Sequence, residues 1–286
     1  MTDKVYKTIR EALGVELGAG RDFHIEPYAP FGDLAPDFYS VRNKDSAVNN
    51  FVAYCPPRWS RAFLWPLPDT GRRPGHGLFL IPHLSADSST KGLDLGCGQS
   101  MFLGMQLHHL GAGSVTGLDK VPPGESLGSW LDEKTRYVQG DILDETVLGG
   151  DMFDVAITHP PMAPTENQEG KRTNTDHDVA GPTGREVLDF IISHWTKKLR
   201  PGGELVIGQF DFLGVMAAHG DPPCTAEVLG EAGLAIEQVH TYHVPITPTI
   251  KNALGLIRSV YPKYPFEKRG DTTYHQFSVI NARKNK

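Results

Sequence analysis

The stretch that most restricts the fold of this chain is residues 91–100. A short apolar run around Asp94 leads directly into Gly96 and Gly98, and apolar residues then recur through 101–110. The run is typical of a buried parallel strand, and the later spacing is typical of a helix with one buried face. The glycines allow a tight turn in which the backbone can approach a ligand closely. Strand, glycine turn and helix predict the nucleotide-binding opening of a doubly wound sheet, although glycine turns also serve plain packing.

Four more apolar runs follow in the order of alternating strands and helices. Asp119 closes the first of them about 20 residues after the glycines, where an acceptor for ribose hydroxyls is expected. We predict a Rossmann-like, doubly wound α/β fold with a seven-stranded, mostly parallel sheet whose last strand is antiparallel. After the first strand, the predicted strands are residues 114–119, 136–142, 154–158, 234–239 and 274–282, and residues 199–207 are predicted to hold a helix end, a turn and the fifth strand.

In this order and spacing, the chain resembles the class I S-adenosylmethionine-dependent methyltransferases over about residues 88–284. It is most similar to their small-domain group, which has an Asn-Pro-Pro-Tyr type motif and includes glutamine and nucleobase N-methyltransferases. The resemblance implies S-adenosyl-L-methionine as the cofactor and S-adenosyl-L-homocysteine as the product.

The resemblance also implies donor-binding roles for residues at the strand ends. Asp94 would contact the amino end of the donor, directly or through water, and Asp119 would accept both ribose hydroxyls. Asp141 would accept from the adenine amine, with Ile142 facing the ring. The alternative for each acid is a helix cap or a turn residue. Ser100 stands where the family usually has a third glycine. The predicted donor-binding residues are Asp94, Gly96, Cys97, Gly98, Asp119, Lys120, Asp141, Ile142 and His159.

The segment His159, Pro160, Pro161 and Met162 takes the place of the family's acceptor motif and is predicted to be catalytic. In the family, a side-chain oxygen at the first position accepts from the target nitrogen, and an aromatic ring at the fourth stacks on a planar acceptor. Here an imidazole can accept a hydrogen bond or take a proton, and Met162 offers an adaptable apolar wall. This departure disfavours a nucleobase or glutamine acceptor and favours a small molecule. The alternative is a loop histidine satisfied by the backbone.

The first 88 residues differ in character from the rest. Residues 5–13 have the spacing of a short amphipathic helix, and residues 28–66 carry scattered prolines and aromatics. This region is either a cap that packs on the sheet edge or a lid over the acceptor pocket. We predict an N-terminal cap or lid at 1–88 and a methyltransferase domain at 89–286.

Residues 163–182 are too polar and too long for an ordinary connection, so they predict a lid or binding loop. Asp176, His177 and Asp178 lie in it. A single triplet of this kind is a weak metal pattern, and we predict no metal.

Charge and cysteine content narrow the partners and the location. The net charge of −6 and the isoelectric point near 6.0 make nucleic acid a less favoured partner, because that partner needs a basic surface. Cys55, Cys97 and Cys224 are far apart and form no metal-type spacing, which suits a reducing cytoplasm. No apolar run long enough for a signal peptide or a membrane span is present.

These observations favour methylation of a nitrogen, or less often an oxygen, on a small metabolite or peptide. One alternative is a tRNA or rRNA nucleobase or protein-glutamine N-methyltransferase. Another is a donor-binding subunit that is not itself catalytic. The residues do not specify the acceptor or the oligomeric state.

Overall fold

The computed structural model describes the chain in eight segments that form two β-sheets, one N-terminal with four strands and one mixed with eight. The described segments are residues 2–17, 23–28, 37–43, 51–56, 62–66, 75–125, 127–165 and 180–286.

The N-terminal unit is one helix and an antiparallel sheet with the order β1-β2-β3-β4. Its elements are α1 (Thr2–Leu17), β1 (Phe23–Pro27), β2 (Phe38–Asn43), β3 (Phe51–Tyr54) and β4 (Phe63–Pro66). Val5, Ile9 and Leu13 are all buried. The predicted amphipathic helix is therefore confirmed.

Both faces of this small sheet are apolar, because successive side chains of a strand point to opposite sides. Phe51 belongs to the core shared with α1, whereas Val52 and Tyr54 belong to the core of the main sheet. The rings of Trp65 and Phe102 meet across the boundary, with centroids 4.8 Å apart. The N-terminal unit therefore packs directly on the larger body.

The main sheet has the order β7-β6-β5-β8-β9-β12-β10, and β11 pairs with β12 outside this row. The strands from β7 to β9 are parallel, and β12 runs antiparallel to both β9 and β10. The predicted Rossmann-like sheet of seven strands with an antiparallel last strand is confirmed, and β11 is an addition to it. The bounds are β5 (Lys91–Leu95), β6 (Ser114–Asp119), β7 (Thr135–Gln139), β8 (Phe153–Thr158), β9 (Leu199–Phe210), β10 (Leu234–Pro245), β11 (Glu267–Arg269) and β12 (Thr272–Lys284).

Helices connect these strands, and the one after β8 changes its winding along its length. It begins as α3, continues as a π-helix and ends as a 3-10 helix. The helical segments are α2 (Phe102–His109), α3 (Glu186–Phe190), the π-helix Ile191–Trp195, α4 (Thr225–Glu231), α5 (Pro248–Val260), and the 3-10 helices His76–His83, Leu127–Ser129, Thr196–Lys198 and Asp211–Leu213.

Glycines in the strands let α2 lie close to the sheet. A Cβ on Gly92 would come within 2.5 Å of Leu107, and a Cβ on Gly117 would come within 2.7 Å of Met101. Real Cβ atoms do not approach neighbours this closely, so a side chain at either position would force Leu107 or Met101 to move. The close packing that a third glycine of the turn would provide is thus available although residue 100 is Ser100.

The 3-10 helix His76–His83 packs against β9 and β12. Its residues 76–81 are buried, and Leu80 fills the space beside Gly208, where a Cβ would lie 2.5 Å from the leucine. This helix falls within the region predicted as the N-terminal cap, and its contacts are with the main sheet. The division of the chain at residues 88 and 89 stays a prediction.

The third strand of the main sheet is shorter than predicted. β7 ends at Gln139, so Asp141 and Ile142 lie in the following loop and the predicted strand over 136–142 is too long. The backbone turns here because the Asp141 carboxylate accepts from the backbone N–H of Leu143 at 2.9 Å.

Helix α5 was not predicted, although its start has a readable signal. Thr247 caps it by accepting from the N–H of Ile250, and Pro248 occupies the first turn. Both are standard features of a helix start. These features were overlooked because the surrounding residues 242–271 are rich in prolines and aromatics, a composition that does not indicate a helix.

Two sequence predictions lie partly or wholly beyond the described residues. Of the loop 163–182 the structure describes only 163–165 and 180–182, and the Asp176, His177 and Asp178 triplet lies outside them. Within the part of the chain that the structure describes, no cluster of three metal-ligating side chains is suited to hold an ion. In that same part, no helix combines the length and apolar character needed to cross a bilayer.

Candidate functional site

The glycine turn after β5 has the geometry that requires glycine. Gly96 and Gly98 have φ angles of 72° and 62°, a left-handed conformation that side chains disfavour. The N–H groups of Gly96 and Cys97 both donate to the Leu118 carbonyl, at 2.9 and 3.2 Å. The turn is therefore tied to the end of the neighbouring strand β6.

Asp119 ends β6 and closes the turn from the other side. One carboxylate oxygen accepts from Gly98 N–H at 2.7 Å, and the other accepts from Val121 N–H at 3.0 Å. Each oxygen of a carboxylate has a further lone pair, so both can still accept from a ligand hydroxyl. A Cβ on Gly98 would meet nothing within 4 Å, so there is open space over the turn beside this carboxylate.

Tyr137 of β7 braces the same turn. Its hydroxyl lies 3.2 Å from the Gly98 carbonyl and 2.8 Å from the Val121 carbonyl. Burial, with nearby Cys97 and Asp119, raises the pKa of Tyr137, so the hydroxyl stays a donor. Sequence reasoning missed this residue, which lies one strand beyond Asp119.

Asp94 is buried beneath the turn rather than exposed on it. Its carboxylate accepts from the N–H of Gly104 in α2 at 2.7 Å. Burial raises its pKa to about 7, with a further upward contribution from the charge of Asp119 and a downward one from the Gly104 bond. Asp94 therefore links the end of β5 to α2, and its predicted contact with a donor amine stays a prediction.

The loop after β7 brings a side chain toward the glycine turn. The Ile142 side chain lies 3.8 Å from where a Cβ on Gly96 would be. The indole N–H of Trp195 holds this loop by donating to the Ile142 carbonyl at 2.7 Å. Asp141, which precedes Ile142, is exposed, and so is Lys120, which follows β6. The structure thus gathers most predicted donor residues around one turn and places these two charged residues at its rim.

His159 follows β8 at the carboxyl edge of the sheet and is half-buried. Its Nδ1 lies 3.2 Å from the Gly208 carbonyl. A carbonyl oxygen only accepts, so Nδ1 carries the proton in this hydrogen bond. In the neutral ring Nε2 then keeps its lone pair, which is the form that accepts a hydrogen bond or a proton.

His159 belongs to a group of five neighbouring rings, and we call these five residues the aromatic cluster: His76, His159, Phe210, His275 and Phe277. The His159 ring centroid lies 5.3 Å from Phe277 and 6.2 Å from Phe210. Burial lowers the pKa of His76, helped by His159 and His275, and burial lowers the pKa of His275 to about 4. Both imidazoles are therefore neutral at physiological pH. Sequence reasoning missed the four other members of the cluster, because they come from distant segments.

The rest of the predicted catalytic segment turns inward. Pro160 is buried and Pro161 half-buried. Met162 is 2% exposed and belongs to the main core. Its backbone carbonyl lies where a Cβ on Gly184 would clash, at 2.4 Å. Met162 is therefore packed inside the protein, and its predicted contact with an acceptor stays a prediction.

Comparison with known proteins identifies solved structures only. No protein-family model and no curated protein matches the chain. The chain is similar to an S-adenosylmethionine-dependent methyltransferase from Mesorhizobium loti, at 17% identity over 73% of this chain and 98% of that one, with a TM-score of 0.44. It is similar to the YcgJ protein from Bacillus subtilis at 12% identity, 74% and 98% coverage and a TM-score of 0.48.

A third similar structure is 1,6-didemethyltoxoflavin-N1-methyltransferase from Burkholderia thailandensis, solved with 1,6-didemethyltoxoflavin and S-adenosylhomocysteine. The identity is 18%, the coverage is 74% of this chain and 77% of that one, and the TM-score is 0.43. At such values the likeness concerns the fold alone. What the chain does has to come from its own residues.

Proposed function

We propose that this chain is an S-adenosyl-L-methionine-dependent methyltransferase. The favoured acceptor atom is a nitrogen, less often an oxygen, of a small metabolite or peptide. The observation that supports this most strongly is the positive-φ turn at Gly96 and Gly98, closed by Asp119 and open above. Phosphate-free donors that carry a ribose suit such a turn, because it presents a carboxylate rather than a run of free amides.

The residues around the turn fit the donor in separate parts. Asp119 would accept the ribose hydroxyls through its remaining lone pairs. Ile142 would cover the adenine, with Asp141 at the rim to accept from its amine. Asp94 would act on the amino end directly or through water. When bound, the donor supplies a methyl group on a positively charged sulfur.

His159 would act on the acceptor. With Nδ1 donating to Gly208, Nε2 can accept from the acceptor's N–H or O–H and keep a lone pair of the attacking atom directed at the methyl group. It can also take the proton that the acceptor loses. Aligning the two reacting atoms is most of what such a displacement asks of a protein.

The departures from the Asn-Pro-Pro-Tyr group guide the choice of acceptor. His159 replaces an amide, and the buried Met162 presents no ring on which a nucleobase could stack. We therefore place the chain beside the small-domain group but with a small acceptor. All three cysteines are buried and free, which supports a reducing, cytoplasmic location.

The test is donor binding by calorimetry with S-adenosylmethionine and S-adenosylhomocysteine. Asp119→Ala should weaken binding about tenfold or more, because it removes charge-assisted hydrogen bonds. Asp87→Ala is the matched control: Asp87 also accepts from a backbone N–H, that of Ser89, but stands before β5 and away from the turn. No binding to the intact chain would refute the proposal, and an unchanged affinity in Asp119→Ala would refute that residue's role.

A further inference from the structure

The other four rings of the aromatic cluster enclose the imidazole of His76 in the way that a binding site encloses the ring of a ligand. Its imidazole stacks on Phe277, with centroids 5.1 Å apart and planes at 23°. Phe210 meets it edge to face at 5.1 Å and 87°. His275 and His159 approach its other sides at 5.7 and 6.3 Å. These are the spacings that aromatic pairs prefer, and together the four rings define a slot for one flat ring.

The walls and the occupant of this slot belong to different parts of the fold. Phe210 ends β9, His275 and Phe277 lie on β12, and His159 follows β8. His76 instead is the first residue of a 3-10 helix that Gly75 precedes without a side-chain cap. Helix ends open more readily than paired strands. The ring of His76 can therefore withdraw while the walls stay in place.

The lining also specifies what kind of ring fits. Phe210 and Phe277 offer apolar faces and edges. His275 is 2% exposed, and its Nε2 has no hydrogen-bond partner among the residues that the structure describes. A buried polar atom of this kind favours a ligand that can hydrogen-bond to it. A purely hydrocarbon ring would leave it unsatisfied.

We infer that this slot receives the acceptor's ring, that the ring is a neutral, planar nitrogen heterocycle about the size of imidazole or pyrimidine, and that His76 occupies the slot until the acceptor arrives. The inference rests on the proposed function only in naming the ring as the acceptor. Because His76 must leave before the acceptor can enter, the apparent affinity for the acceptor is the intrinsic affinity multiplied by the fraction of molecules in which the slot is open.

The test uses pyrazole as a neutral heterocycle and tetrahydrofuran as a saturated ring of the same size. Nuclear magnetic resonance titrations should show that His76→Ala binds pyrazole about tenfold or more tightly than the unaltered chain does. In this variant pyrazole should also bind about fivefold or more tightly than tetrahydrofuran, through the ring contacts. In the unaltered chain, pyrazole should shift the His76 ring signals as that ring leaves Phe277.

Two further variants test whether pyrazole recognises this slot or enters any cavity that is left when a ring is removed. His109→Ala removes a half-buried imidazole, stacked on Phe63 at 5.0 Å, and should gain no pyrazole affinity. His76→Phe keeps the slot filled and should bind pyrazole about tenfold less tightly than His76→Ala. An equal gain in His109→Ala, or equal affinities in the two His76 variants, would overturn the inference. S-Adenosylhomocysteine binding, measured on the same samples, checks the fold and reports separately on the proposed function.

Discussion

The glycine turn and the aromatic cluster lie at the same edge of one sheet but are built in opposite ways. The turn is held by hydrogen bonds between backbone groups and carboxylates, with Asp119, Gly98 and Tyr137 within about 3.2 Å of their partners. The cluster is held by ring contacts at 5–6 Å. Directional bonds fix one shape, whereas ring contacts tolerate exchange of one flat ring for another. The comparison separates a rigid site, which we propose for the donor, from an adaptable site, which we propose for the acceptor.

The largest expected effect comes from removing His159, the proposed base in the aromatic cluster. His159→Ala should lower turnover by about 10²–10⁴ while donor affinity stays constant, because only the acceptor side loses a polar partner. Steady-state kinetics and donor calorimetry on the same variant measure the two quantities. A loss of donor affinity equal to the loss of turnover would abolish the separation of the two sites.

His194→Ala is the matched control for this variant. Its Nδ1 also faces a backbone carbonyl, that of Phe190 at 3.1 Å, but it lies on the helix after α3, so turnover should not change. His159→Asn then defines the role: an asparagine restores an acceptor but cannot take a proton. Recovery of most of the rate would show that orientation is enough.

The surroundings of the glycine turn can be tested through the pH dependence of stability, because the buried carboxyl group of Asp94 lies beneath the turn. Its folded-state pKa of about 7 lies above its usual 3.8, so the folded form keeps a proton that the unfolded chain has lost. Stability from this group is full below about pH 4 and falls, by up to about 1.4 kcal/mol per pH unit, as the pH rises to about 7. Asp94→Asn does not titrate and can still accept from Gly104.

The free energy of unfolding, measured in urea at several pH values, checks this. The difference between Asp94→Asn and the unaltered chain should grow in favour of the variant between about pH 4 and pH 7 and be constant above. Parallel pH profiles for the two proteins would mean that Asp94 is ionised throughout and that burial does not dominate its surroundings.

The same contrast explains what the sequence could predict. The glycine turn, Asp94 and Asp119 were predicted because they lie within one strand-turn-helix unit and its neighbour, so their spacing carries the signal. His76 and His275 are 199 positions apart in the numbering, and nothing local marks them as partners. Their meeting depends on the antiparallel placement of β12 beside β9. Ring contacts also leave no spacing pattern, unlike a helix face.

Some local signals were present but misread. The run over 136–142 was predicted as strand to its end, yet β7 ends at Gln139 and the backbone turns after Asp141, whose carboxylate accepts from the N–H of Leu143. In the N-terminal unit, strands of 4–6 residues among prolines and aromatics gave no clear alternation. The described ring contacts of this unit with the rest of the chain include Phe102, His109 and Trp130, and its role as a cap or a lid stays a prediction.

Gly98→Ala should separate strain from ligand contact. A side chain at its φ of 62° costs about 1–2 kcal/mol of stability. The added methyl group also enters the open space over the turn, so donor affinity should fall about tenfold as well. Gly202→Ala is the control: its φ is 76°, and a Cβ there also meets nothing within 4 Å. It should show the same loss of stability and no loss of affinity, and equal affinity losses in both variants would mean that general strain is the cause.

Tyr137→Phe should have the smallest effect on donor affinity, and it tests a single hydroxyl group that braces the glycine turn. The change removes one hydroxyl that lies 3.2 Å from the Gly98 carbonyl and 2.8 Å from that of Val121, and it leaves the ring in place. A hydrogen bond of this kind contributes about 0.5–1.5 kcal/mol, so donor affinity should fall by a factor of roughly 2–10. Tyr242→Phe is the control, because its hydroxyl pairs with Nε2 of His83 at 2.6 Å and Tyr242 lies on β10, at the opposite end of the sheet from β7. That variant should lose similar stability in urea without a change in donor affinity. If Tyr137→Phe loses only stability as well, the brace supports the fold, and the shape of the turn depends on Asp119 and on the backbone bonds to Leu118.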